Sequence, residues 1–174
     1  MRPSRACALS ADRARTRARD TVFRIRFFTP SVPDDRGWPH AGGELQLGPH
    51  HLRFLVDLRY WSMAEYEAQW RAGVARLVVE RQPTALLTGY RGATQDPHVM
   101  WALWPEGDSV YVQELTVLPA EIDDTFDPRQ AHRYVGERIP ASEQGLPIPE
   151  YRLDLLPLLA AHYLPNFPWR WMAA

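Results

Sequence analysis

The sequence contains no lysine and a single cysteine, Cys7. One thiol cannot build a disulfide framework or a thiolate metal site within the chain, which fits a reducing compartment. All 20 basic residues are therefore arginine, a bias ascribed to GC-rich coding and given no mechanistic weight. Gly42-Gly43, Gly89 and Gly92 have neither the spacing nor the following lysine of a phosphate-binding loop, which argues against nucleotide binding. No apolar run approaches the roughly 18 residues that span a bilayer, and the basic start lacks the continuous apolar stretch of a secretory signal. The chain is accordingly read as cytoplasmic, without a membrane partner.

What is present suits one globular domain: 174 residues, 45% hydrophobic and 24% charged. Seven Trp, seven Tyr and six Phe, each able to bury roughly 150–250 Å², supply a substantial core. Charge is distributed unevenly. Residues 1–20 hold six Arg and two Asp, which leaves 14 basic against 19 acidic residues in the remainder, a formal charge of −5. An acidic body lacks the basic face that phosphate-backbone binding needs and favours a cationic partner.

Residues 1–20 have almost no large apolar side chains, so they are expected to form a disordered Arg-rich tail. A flexible leader or misassigned start outweighs a nucleic-acid arm or transit peptide, because Pro3 and Asp20 interrupt any helix face. The domain is expected over 21–164, with 165–174 as a C-terminal tail. Thr21–Phe28 alternates apolar residues with Arg, the period of a half-buried strand. A loop rich in Pro, Asp and Gly follows, then strands at Glu44–Leu47 and His51–Leu58 broken by Gly48-Pro49.

Ser62 and Glu65 have capping-box spacing, and Trp61 with Tyr66 the spacing of a hydrophobic staple. Tyr66, Trp70, Gly73, Val74 and Leu77 then form one stripe, predicting a helix over about 63–81 that Pro83 prevents from continuing. Gly73 on that buried stripe implies close approach of a strand. Strands at Thr84–Tyr90, His98–Trp104 and Ser109–Leu118 follow, the last two joined by a hairpin at 105–108. Imperfect alternation in 110–117 implies that both faces of that strand are partly covered. Beyond an acidic stretch, a helical turn near Arg129–Val135 and a last helix over Leu153–Tyr163 are expected. The fold class is α+β: an antiparallel β-sheet or sandwich with one main helix packed on it and short C-terminal helices.

No constellation for catalysis emerges, and none implies a metal or cofactor. His50 and His51 are adjacent on a strand and point to opposite faces, and His98, His132 and His162 are isolated. Asp123, Asp124 and Asp127 lack the Gly and terminal Glu of a calcium loop. Interrupted by Ile122 and Phe126, they fit a solvated loop or an acidic contact surface.

The run Tyr60-Trp61, Tyr66, Gln69-Trp70 resembles the helix start of immunity proteins from bacterial contact-dependent growth inhibition, a polymorphic toxin system. Thr84–Thr88, Trp104-Pro105 with Val110–Gln113, and Thr125–Pro128 look like the succeeding strand, hairpin and acidic stretch, in the same order over about 55–151. Gln113-Glu114 stands where relatives tend to have Gln-Asn. The resemblance implies a non-enzymatic protein that binds a cognate toxin C-terminal domain, often a nuclease. The contact residues expected are Glu114, Glu121, Asp123, Asp124 and Asp127, with Tyr60, Trp61, Tyr66, Gln69 and Trp70 specifying the fold. The alternative is a single-stranded nucleic-acid-binding module using the sheet and the Arg-rich tail, to which the acidic body makes nucleic acid an improbable partner.

Overall fold

The computed structural model describes residues 22–92, 96–122, 125–155 and 158. The tails 1–20 and 165–174, Asp123, Asp124, His162 and most of the expected last helix lie outside them. Two four-stranded antiparallel sheets and one main helix build an α+β fold, as expected.

The first sheet contains β1 (Phe23–Phe27), β2 (Val32–Pro33), β3 (Pro39–Leu47) and β4 (His50–Asp57). Strands β1 and β2 pair along one edge of β3, and β4 pairs along the other. Strand β3 begins five residues earlier than expected, because Gly42 and Gly43, read as loop residues, sit in mid-strand. Their missing side chains are the reason. A Cβ on Gly43 would lie 2.1 Å from the Phe54 ring, and one on Gly42 would lie 2.9 Å from Cζ of Phe28. Each glycine thus lets an aromatic ring lie across the strand, on opposite faces of the sheet.

The Phe27–Gly43–Phe54 row faces inward onto the helix α1 (Met63–Ala75). Its Trp70 ring lies 4.9 Å from that of Phe27 and 6.0 Å from that of Phe54. At the start of α1 the capping box forms: the Glu65 amide donates to Ser62 Oγ, and the Ser62 amide to the Glu65 carboxylate at 2.9 Å. Trp61 and Tyr66 meet edge-on at 5.1 Å, closing the staple. The helix continues as a π turn over Arg76–Glu80 and stops at Arg81, whose φ of 56° is left-handed.

The second sheet runs in the order β5 (Thr84–Gly89), β6 (His98–Glu106), β7 (Ser109–Val117), β8 (Tyr151–Asp154). Glu106 pairs with Ser109 across a two-residue hairpin turn, where Gly107 has φ +58°. Strand β8 corrects the expected helix at its start. Tyr151–Asp154 pairs with β7, Leu153 opposite Val110, and its alternating exposure shows the period of a strand. The helix expected from Leu153 has helical backbone only from Leu155.

Helix α1 locks onto β5. A Cβ on Gly73 would come within 2.9 Å of Leu86 Cδ2 and 3.0 Å of the Ala85 carbonyl, the close approach anticipated for this glycine. The described residues within 119–150 cover the opposite face of the second sheet. There Phe126 stacks on His98 at 4.1 Å, Trp104 Nε1 donates to the Gly136 carbonyl, and Gln113 Nε2 to that of Ile139. Both faces of β7 are therefore covered along much of its length, as its imperfect alternation implied.

Candidate functional site

The described histidines do not assemble a reactive centre. His50 rests against Tyr151 at 4.9 Å, while His51 pairs with Gln46 on the other face. His98 is almost fully buried, and its Nδ1 accepts the Arg91 amide at 3.3 Å. Burial, reinforced by the Arg91 charge, holds its pKa below the ordinary value. Among the described residues no group of three or more His, Cys, Asp or Glu could hold a metal ion. No helix there is long and apolar enough to cross a membrane.

The other buried polar groups serve packing. Asp57 is 3% exposed and bound by Arg59 and Arg91. Burial would raise its pKa, but the Arg59 hydrogen bonds outweigh that and hold it low. Gln69 donates from Nε2 to the Ala85 carbonyl at 2.8 Å and accepts the Leu87 amide at 3.1 Å. Trp70 Nε1 donates to the Leu87 carbonyl. Trp61, Tyr66, Gln69 and Trp70 are all buried, whereas Tyr60 is 38% exposed.

Of the acidic residues singled out in the sequence, Asp123 and Asp124 lie outside the described residues, and Glu114 and Asp127 are placed apart. Glu114 is exposed on β7 opposite Trp101. Phe126, next to Asp127, rests on His98, which pairs with Val117. Since 114 and 117 differ by an odd number, Glu114 and Phe126 lie over opposite faces of the sheet. The Asp127 carboxylate caps a 3₁₀ turn, Pro128–Tyr134, accepting the Arg129 amide at 2.9 Å and Gln130 Nε2 at 2.8 Å. Glu121 ends another 3₁₀ turn, Pro119–Glu121.

The outer face of the first sheet carries a cluster that the sequence reading missed. Its cross-strand rows are Arg24–Gln46–His51, Arg26–Glu44–Arg53 and Phe28–Gly42–Leu55. Arg24, Arg26 and Arg53 thus surround Glu44, which Arg26 holds at 2.7 Å and whose pKa that hydrogen bond lowers. Phe28 is fixed by its amide N–H, which donates to the Gly42 carbonyl at 2.9 Å, with its ring over Gly42 and the Arg53 guanidinium 5.4 Å from its centroid. Phe28 and Leu55 remain 45% and 66% exposed. The Arg24-x-Arg26 alternation in β1 was the legible signal. Placing Phe28 and Leu55 beside it required the register across the double glycine.

No curated protein matches the chain. A chain of the CdiA-CT/CdiI toxin and immunity complex from Enterobacter cloacae has a similar fold, with a TM-score of 0.73 at 20% identity, covering 81% of this chain and 96% of that one. The model of the CdiI N-terminal domain matches residues 56–160, from the end of β4 past β8. With more than half of its length spanned, the chain belongs to the CdiI N-terminal domain family, the immunity proteins of contact-dependent growth inhibition.

Proposed function

We propose that this protein binds the C-terminal toxin domain of its cognate effector in the cytoplasm and neutralises it by occupying its surface, without turnover. Membership of the CdiI family carries the reading, supported by the fold shared with a chain of a toxin and immunity complex. The architecture suits such a role. Its buried polar groups are held by the fold, and its exposed charges stand on a sheet framework that needs no rearrangement to present them.

The toxin we infer is a nuclease. Such a domain is basic where it holds phosphate, and the formal charge of −5 over residues 21–174 favours its approach. Glu114, Glu121, Asp123, Asp124 and Asp127 are proposed to contribute through this long-range attraction, which does not require them to share one patch. Co-expression with the neighbouring toxin domain is the test. Restored growth and a stoichiometric complex on gel filtration are expected, whereas continued growth arrest with two separate elution peaks would reject the proposal.

A further inference from the structure

We infer that the outer face of the first sheet is the surface that docks on the toxin domain, against a patch that is acidic and studded with apolar side chains. This rests on the reading of the chain as a toxin-binding immunity protein and specifies the contact. Three features converge on it.

The first is charge. In a chain that is acidic from residue 21 onward, Arg24, Arg26 and Arg53 gather on one face around Glu44, and Arg26 is 52% exposed despite its ion pair. The second is apolar content. The solvent face of an antiparallel sheet normally carries polar side chains, yet here Phe28 and Leu55 stand out at 45% and 66% exposure on either side of Gly42. Arginine and aromatic residues are enriched where interfaces concentrate their binding energy. The third is rigidity, because Phe28 is already fixed by the Gly42 backbone and by Arg53, so little ordering entropy is lost on contact.

The same geometry disfavours a nucleic acid. Stacking a base requires an open ring face, but Phe28 lies on Gly42 with the Arg53 guanidinium over its ring. Leu55 offers nothing to a phosphate. A toxin that is basic at its phosphate cleft keeps its acids elsewhere, so this face engages it beside the cleft. All five side chains also precede Val56, where the match to the family model begins, and so lie outside the segment that model describes.

The experiment titrates the purified full chain with the purified toxin domain encoded beside it, comparing wild type with Arg24→Glu/Arg53→Glu and with Leu55→Asp. Each variant is expected to bind at least tenfold more weakly while keeping a cooperative melting transition, since the altered side chains are exposed. Arg53→Gln and Leu55→Ser should show the same losses in milder form, guarding against a folding defect in the stronger variants. Wild-type affinity in all of these variants overturns the inference and leaves the immunity reading intact, whereas a wild-type chain that does not bind overturns both. A labelled single-stranded oligonucleotide that binds wild type and is released by the arginine variant, while toxin binding persists, overturns the protein partner in favour of nucleic acid.

Discussion

The side-chain amide of Gln69 meets β5 as a parallel strand's peptide group would, giving a hydrogen to the Ala85 carbonyl and taking one from the Leu87 amide. Replacement by leucine leaves both groups buried without partners, at about 1–3 kcal/mol each. Gln69→Leu is therefore expected to lower the urea midpoint sharply at an unchanged m value. His98 makes stability depend on pH. Burial lowers its pKa in the folded chain below the ordinary 6.5, so between the two values the unfolded chain binds the extra proton. Stability is then complete above the unfolded pKa and declines as pH falls below it. Urea midpoints should drop from pH 7.5 to pH 5.5, with a shallower slope in His98→Gln. An equal slope in that variant would place the titration elsewhere, with the partly buried His132 the next candidate.

Helix α1 joins the two sheets, with Trp70 between Phe27 and Phe54 on one side and β5 on the other. Gly73→Ala separates propensity from packing. Alanine favours the helix by about 1 kcal/mol, but its methyl would meet the Ala85 backbone carbonyl at 3.0 Å and Leu86 at 2.9 Å. Overpacking of this kind costs typically about 1–3 kcal/mol, so a lower melting temperature is expected, and a higher one would mean that β5 yields freely. This junction was readable because its signals are local: the Ser62–Glu65 box, the Trp61–Tyr66 staple and a glycine on an apolar stripe all lie within one short segment. Strands β2 and β8 and the start of β3 were not. Val32–Pro33 is too short to show a period, and Tyr151–Asp154 declares itself only by pairing with β7, more than thirty residues earlier. Gly42-Gly43 has the composition of a turn until Phe28 and Phe54 lie across it. The placement of Glu114 and Asp127 was hidden for a related reason. Proximity in sequence could not show that Glu114 and Phe126 take opposite faces, or that Asp127 is engaged as a cap.

At the scale of the whole molecule, an acidic body carries an arginine cluster on the outer face of its first sheet, so approach and the proposed contact are separable. Reversing Glu114 and Asp127 to Arg should slow association with the toxin domain severalfold at low salt and leave dissociation nearly unchanged, which stopped-flow mixing across a salt series would reveal. A change confined to dissociation would make those acids direct contacts. The engagement of β5 by Gln69 and Trp70 has another outcome. A sheet margin with free amides and carbonyls is a template for further chains and a route to fibrils. Along Ala85–Leu87 that margin is stoppered from within, protecting a protein that has to accumulate against its poison from polymerising there.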